Sequence, residues 1–180
     1  MSVLLKPLDL VVSVMAAVLD EPGWTHAAMA QQLGMDGSQV FRAVRQAAGL
    51  GLLIAEPRNG RVVYRTHHAA LIEFLIHGVK YYAVPSRGRI TRGMPTAHAA
   101  PVLATKIRAG DEPVPVWPTP DGSVRGESFE PLHRCVPGAA RRHDQFYAAM
   151  ALVDAIRGGR ARERALATKL LPEVLGAARA

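Results

Sequence analysis

The sequence predicts a mainly α-helical fold with a small β component, divided into residues 1–66 and a helical C-terminal region, residues 67–180. Three observations carry this prediction. Apolar residues recur at helical spacing over most of the chain. Asn59-Gly60, a strong signal for a two-residue hairpin, joins two short apolar runs. Gly158-Gly159 separates two amphipathic stretches near the end, a pattern typical of a helical hairpin.

The first helix is predicted from Pro7 to about Leu19, with Pro7 in its first turn, and Glu21-Pro22-Gly23 ends it. Thr25 is suited to cap a second helix, and Gly34 to take the left-handed conformation just past that helix. The apolar residues of the two helices are Leu8, Val11, Val12, Met15, Leu19, Ala28, Met29 and Leu33.

A third helix is predicted to begin after Asp36, which with Gln39 forms a capping box. Its apolar face consists of Val40, Ala43, Val44 and Ala47. Its polar face consists of Ser38, Gln39, Arg42, Arg45 and Gln46. Two short helices joined by a turn of three or four residues form a helix-turn-helix. With the hairpin that follows, residues 1–66 are predicted to form a winged helix-turn-helix.

The stretch Thr25–Leu53 resembles winged helix-turn-helix transcriptional regulators of the MarR and IclR type. The matching residues are Met29-Ala30, Leu33-Gly34, Asp36, Ser38, Val40, Arg42, Val44 and Gly51-Leu52-Leu53. Four residues depart from the usual pattern. Met29 and Val44 replace leucines, Asp36 replaces serine and Ala47 replaces a larger apolar residue. Each keeps the physical role of the residue that it replaces.

The resemblance implies that the third helix enters the major groove of DNA. Gln39 would then pair with adenine, Arg42 with guanine or a phosphate, and Ser38 with a phosphate at the helix N-terminus. The predicted DNA-binding residues are Ser38, Gln39, Arg42, Arg45 and Gln46 on the helix, and Arg58 and Arg61 on the wing. Phe41 lies beside the polar face. Two interpretations are open for Phe41: contact with a sugar or a thymine methyl group, and packing against another part of this protein.

The next predicted helix, His67–Tyr82, is apolar on almost all sides, which indicates burial. We expect it to connect the two parts of the chain and to form a homodimer interface through Leu71, Phe74, Leu75 and Val79. Pro85–Gly93 is predicted to be a basic surface loop. Pro113–Pro118 suits an edge strand or polyproline II, and Val124-Arg125 a returning strand, without an independent sheet. Trp117 in this segment either lines a pocket or fills a small core.

Two C-terminal helices are predicted, Ala140–Arg157 and Arg160–Leu171, with a break or kink at Pro172. Ala165, Leu166 and Leu170 are expected to face inward on the second helix. The arginines at 157, 160, 162 and 164 are either a solvated basic face or a contact surface for DNA backbone or an acidic partner protein.

Charge favours an anionic partner. The chain has a net charge of +7, of which residues 134–180 contribute +5. The single cysteine, Cys135, excludes an internal disulfide and suits the reducing cytoplasm. The apolar run Leu8–Leu19 is shorter than a membrane span, which needs about 20 residues. The histidines show no metal-ligand spacing, and no catalytic constellation or cofactor motif is evident.

The sequence therefore predicts a cytoplasmic, sequence-specific DNA-binding regulator that is not an enzyme and has no cofactor or metal. A homodimer that represses transcription is expected, since small regulators usually act by occlusion. The alternative is an antitoxin-like or other protein-binding winged helix. Such a module would neutralise a partner protein through its basic C-terminal region and regulate its own operon.

Overall fold

The computed structural model describes residues 4–19, 24–107 and 113–176. The fold is mixed α/β with two small sheets. Its helices are α1 Pro7–Leu19, α2 His26–Leu33, α3 Gly37–Gly49, α4 His68–Glu73, α5 Val79–Tyr82, α6 Pro101–Ala104, α7 Val136–Ala140, α8 Asp144–Gly158 and α9 Ala161–Val174. Its strands are β1 Leu53–Arg58, β2 Arg61–Thr66, β3 Arg87–Pro95, β4 Pro115–Pro118 and β5 Val124–Phe129.

Thr25, Gly34 and Asp36 end α2 and begin α3 as the sequence predicts, but Asp36 accepts from the amide of Ser38 and does not form the expected capping box with Gln39. The Thr25 hydroxyl accepts a hydrogen bond from the amide of Ala28 at 3.1 Å. Gly34 follows α2 in the left-handed conformation, with φ 63° and ψ 40°. The Asp36 carboxylate accepts the amide of Ser38 at 2.8 Å and so caps α3. These local interactions stop one helix and start the next within four residues.

The β1–β2 hairpin also follows the prediction. The two strands pair antiparallel, with Arg58 opposite Arg61. Asn59 and Gly60 both have positive φ, 51° and 73°, as a two-residue hairpin with the sheet's twist requires.

Helix α1 is the central element of the core. Every residue from Asp9 to Val18 is buried. The helix packs against α3 on one side and against α8 on another. This double contact explains why α1 is apolar on nearly all sides. The buried apolar side chains form one cluster that extends from the first three helices into α8 and α9.

The segment predicted as one helix over His67–Tyr82 is α4 and α5 joined by a π-helical turn, Phe74–Gly78. Leu71, Leu75 and Val79 are fully buried in the core of their own chain, and Phe74 is partly buried. The expectation of a dimer surface is therefore corrected for Leu71, Leu75 and Val79, because fully buried side chains cannot contact a second subunit in this conformation. The exposed large apolar or aromatic residues nearby are Tyr81, Tyr82 and Val84.

Strand β3 corrects a second expectation, since most of Pro85–Gly93 forms a strand and not a surface loop. It pairs antiparallel with both β4 and β5, and β4 pairs parallel with β5, so the three strands close on themselves. A Cβ atom added at Gly93 would lie 2.2 Å from the Trp117 carbonyl oxygen, and one at Gly126 would lie 2.1 Å from that of Val114. These glycines allow the close backbone approach that such a small closed sheet needs.

Helices α8 and α9 form the predicted helical hairpin, with two differences in α9. The helix continues through Pro172 to Val174. Its inward face contains Glu163, Ala167 and Leu171, whereas Ala165 is exposed and Leu166 and Leu170 are only partly buried. The buried Glu163 carboxylate lies 3.2 Å from the His98 ring, so part of this face packs through polar contacts.

A buried polar cluster joins α8 to the closed sheet. The Asp154 carboxylate accepts hydrogen bonds from the Thr96 hydroxyl at 2.7 Å, the Trp117 indole at 2.6 Å and the Arg157 guanidinium at 2.8 Å. Arg157 also donates to the Ala83 carbonyl at 3.2 Å. Trp117 therefore belongs to the core. Arg157 is 6% exposed, so it does not join the basic surface expected on the C-terminal helices.

Candidate nucleic-acid interface

Helix α3 presents a continuous exposed stripe. Its members lie three or four residues apart and share one face of the helix: Ser38, Phe41, Arg42, Arg45 and Gly49. The opposite face is buried through Val40, Ala43, Val44 and Ala47, as the sequence predicts. The two arginines therefore point away from the core. Neither forms an ion pair with any residue in the described ranges 4–19, 24–107 and 113–176.

The Asp36 carboxylate lies beside Ser38 at the start of α3, where the sequence predicts a contact between Ser38 and a phosphate. The Ser38 hydroxyl and amide both donate to the Asp36 carboxylate, which lowers the pKa of that carboxyl. The Ser38 hydroxyl group therefore already donates its one hydrogen bond to Asp36. A contact with a phosphate would need that same hydrogen-bond donor. The negative charge of Asp36 disfavours an anion beside Ser38.

Gln39 and Gln46 lie on one flank of the stripe and are partly buried. They line a cleft of about 230 Å³ between α1, α3 and the segment His133-Arg134. Gln46 also donates a hydrogen bond to the Leu4 carbonyl. The Gln39 side chain, in contrast, makes no hydrogen bond within the described part of the chain. Both predicted glutamines thus lie beside the exposed stripe, not at its centre.

The same cleft brings cations from distant parts of the chain beside α3. Lys6 precedes α1, Arg42 projects from α3 and Arg134 lies before α7. Arg142 at the end of α7 donates from Nε to the Gln32 carbonyl at 3.0 Å and holds this part of the chain against α2. Neither Lys6 nor Arg134 is among the residues that the sequence predicts to bind DNA. The one signal for Arg134 was the excess of positive charge after residue 133.

The other flank of α3 carries an aromatic cluster of Trp24, His26, Phe41 and Tyr64. Trp24 stacks on Tyr64 with a centroid distance of 6.3 Å, and His26 meets the Phe41 ring edge-on at 5.1 Å. Burial lowers the pKa of His26, so its ring is neutral near physiological pH. This cluster connects the start of α2, α3 and strand β2. It also shows that Phe41 packs against its own chain while 43% of its surface stays exposed.

The tip of the β1–β2 hairpin carries the two predicted wing arginines. Arg58 and Arg61 are both exposed on either side of Asn59-Gly60. Further along the hairpin, Arg65 pairs with Glu56. The guanidinium groups at the tip are therefore accessible for contact with an anion, whereas that of Arg65 is already neutralised by its partner.

The Cys135 thiol lies near Gln39 and Arg134, in surroundings that disfavour its ionised form. Its Sγ atom lies 3.0 Å from Nδ1 of His133. Burial nevertheless raises the pKa of the thiol to about 12, so the thiolate is scarce at neutral pH. Across the described ranges, no group of three or more His, Cys, Asp and Glu side chains is placed to hold a metal ion.

We expect Cys135 in the folded protein to react with iodoacetamide at least about a hundredfold more slowly than in the unfolded protein, because only the thiolate attacks. Mass spectrometry of samples quenched over time, with and without urea, measures the two rates. Equal rates would show that the thiol is accessible and ionises normally. The unfolded sample serves as the internal control because the chain has one cysteine.

No protein-family model matches the chain, and neither does any curated protein or solved structure. Among the helices of the described residues, none is long and apolar enough to cross a membrane.

Proposed function

We propose that the chain is a sequence-specific, double-stranded DNA-binding transcriptional regulator and that α1–α3 with the β1–β2 hairpin form a winged helix-turn-helix. The observation that carries the proposal is the exposed stripe of α3, in which Arg42 and Arg45 project from a helix whose other face is buried. A short helix held by caps on a tight turn, with its polar face accessible, suits the major groove.

Arg42 is the proposed base-reading residue. It lies one turn into α3 and is exposed, and the N-terminal part of a recognition helix is the part that meets base edges. A guanidinium group matches the two acceptors of guanine in the major groove. Arg58 and Arg61 at the hairpin tip would contact the minor groove or the phosphate backbone, where charge matters more than base identity.

The proposed DNA surface also includes the second half of the chain. Lys6 and Arg134 line the cleft beside α3, on the side opposite the aromatic cluster. When a helix occupies the major groove, the elements on its flanks lie over the phosphates that border the groove. Arg134 is therefore assigned to a phosphate. The C-terminal region would thereby raise affinity without reading bases.

Homodimerisation and repression complete the proposal. A two-fold dimer would place two copies of α3 in successive major grooves, about 34 Å apart. The subunit contact would use exposed residues such as Tyr81 and Val84, because Leu71, Leu75 and Val79 are buried. Repression by occlusion is proposed because small regulators usually act in this way. Sedimentation of the purified protein measures the oligomeric state directly.

Equilibrium binding to duplex DNA over a range of salt concentrations tests the proposed function. We expect the logarithm of the association constant to fall linearly with the logarithm of salt concentration, because Lys and Arg contacts to phosphate release counterions. Fluorescence anisotropy of a labelled duplex provides the constant at each salt concentration. An absence of binding at low salt would contradict the proposal.

We expect Arg134→Gln to flatten the salt dependence by about one unit, the loss of one phosphate contact. Arg162→Gln removes another exposed arginine, from α9, and is expected to leave the slope unchanged, since α9 lies away from α3 in this proposal. Both variants lose one positive charge, so a general effect of net charge would change them equally. Equal slopes for Arg134→Gln and the unmodified protein would remove Arg134 from the DNA surface.

A further inference from the structure

Phe41 is a large apolar side chain held in an exposed position. The residue is 43% exposed although its ring contacts the His26 ring edge-on at 5.1 Å. On another side, the Arg45 guanidinium lies 5.7 Å from the ring centroid. Contact on two sides restricts the ring, while the remaining surface has no covering group within the described residues. The ring is thus ordered before any partner binds, which reduces the entropy cost of a contact.

The position of Phe41 on α3 places its free surface beside the arginines of the exposed stripe. Phe41 is adjacent to Arg42 and one turn before Arg45. Together with Gln46 and Gly49 these residues line an open cleft of about 320 Å³. Gly49 has no side chain, and a Cβ atom added there would meet nothing within 4 Å. The cleft is therefore open toward the end of the helix.

The chemistry and the position of the cleft together indicate a partner. The Arg45 guanidinium lies 5.7 Å from the Phe41 ring centroid, and Arg42 lines the same cleft. Aromatic residues and arginine are enriched at protein–protein interfaces as well, so the choice of DNA depends on the position of Phe41 on the proposed recognition helix. The major groove combines phosphates at its borders with one apolar group on a base edge, the thymine 5-methyl. An aromatic ring beside arginines on that helix matches this combination.

We infer that Phe41 contacts the 5-methyl group of a thymine in the DNA site and is a specificity-determining residue. The inference rests on the proposed function and deepens it. Arg42 reads a base by hydrogen bonds, whereas Phe41 distinguishes thymine from other bases by apolar contact. The aromatic cluster with His26, Tyr64 and Trp24 fixes the direction of the ring and connects it to the hairpin.

Deoxyuridine substitution tests this contact, since it removes only the methyl group and keeps base pairing. A duplex selected from a random pool is prepared with each thymine replaced in turn. Affinities are measured for the unmodified protein and for Phe41→Ala at one fixed salt concentration. We expect one thymine position at which deoxyuridine weakens the unmodified protein about fourfold, the effect of one buried methyl group. Phe41→Ala is expected to bind both duplexes equally.

Two further variants make the result unambiguous. Phe41→Gln keeps a long side chain and helix propensity without the ring, and it replaces Phe41→Ala if circular dichroism shows loss of helix in the latter. Val62→Ala removes another exposed apolar side chain, 57% exposed on β2, and is expected to retain the fourfold preference for thymine.

The outcomes separate the inference from the proposed function. Selective DNA binding without any thymine position that depends on Phe41 overturns the inference alone. The same is true if Phe41→Ala retains the preference for thymine over deoxyuridine. A protein that selects no duplex at all overturns both the inference and the proposed function. A Phe41-dependent complex with another protein, formed without DNA, would assign the ring to a protein interface.

Discussion

Replacing Arg157 by methionine is expected to lower the free energy of unfolding by about 3–5 kcal/mol, because it leaves the Asp154 carboxylate buried without its cation. Asp154 is completely buried, and the Arg157 guanidinium lies 2.8 Å from it. The same guanidinium donates to the Ala83 and Glu130 carbonyls, which also lose a partner. Methionine keeps a long apolar side chain, so the change isolates the charge and its hydrogen bonds.

Urea unfolding followed by circular dichroism measures this effect. Arg162→Met is the matched control, since Arg162 is exposed on α9 and changes at such positions usually have little effect on stability. A stability for Arg157→Met within about 1 kcal/mol of the unmodified protein would contradict this prediction, because a lost buried ion pair costs more than that. It would mean that Asp154 becomes protonated or that water or another group reaches its carboxylate.

Replacing Arg42 by alanine is expected to weaken specific DNA binding by about 1–3 kcal/mol and to relax base preference at one or two positions. The guanidinium projects from the exposed stripe of α3 and has no ion-pair partner within the described part of the chain. Binding to non-specific duplex is expected to change less, since only one charge is lost.

The matched control is Arg89→Ala, which removes an exposed arginine from β3 and is expected to keep both affinity and base preference. Gln39→Ala is expected to have a smaller effect than Arg42→Ala, because Gln39 is partly buried at the flank of the stripe. If the Arg42 and Gln39 variants both bind the selected duplex as tightly and as selectively as the unmodified protein, α3 is not the recognition helix.

The parts of the fold that depend on local interactions were predictable. The caps at Thr25 and Asp36, the left-handed Gly34 and the Asn59-Gly60 hairpin each depend on residues within four positions of one another. Such interactions are visible in a sequence because the conformational preferences of these residues are intrinsic. The apolar face of α3 was predictable for the same reason, through its helical periodicity.

The closed sheet was not predictable, since its glycines suggested a loop. Gly93 is needed because the Trp117 backbone approaches to within contact distance, and nothing in the local sequence indicates that approach. The exposed arginines of β3 added to the appearance of a surface loop. Long-range contact, not local propensity, makes this segment a strand.

The residues of the candidate site were likewise predictable where they depend on a local pattern, and not where they depend on long-range packing. Arg42 and Arg45 follow from the periodicity of one helix. The placement of Arg134 beside α3 depends on α7 packing against α2, over a separation of more than a hundred residues along the chain, as the Arg142–Gln32 contact shows. The role expected for Arg157 was wrong because its partner Asp154 lies one turn earlier on the same buried face of α8. Charge alone does not indicate whether an arginine is on the surface.

Sequence-specific DNA binding is tested most directly by selection of duplex DNA from a random pool with the unmodified protein at a stated, near-physiological salt concentration. We expect enrichment of a motif with two half-sites about one helical turn apart, or a multiple of it, and loss of base preference at one or two positions with Arg42→Ala. A pool that shows no enriched sequence, from a protein that is folded by circular dichroism, would contradict the proposed function. The protein-binding winged helix would then be the better interpretation.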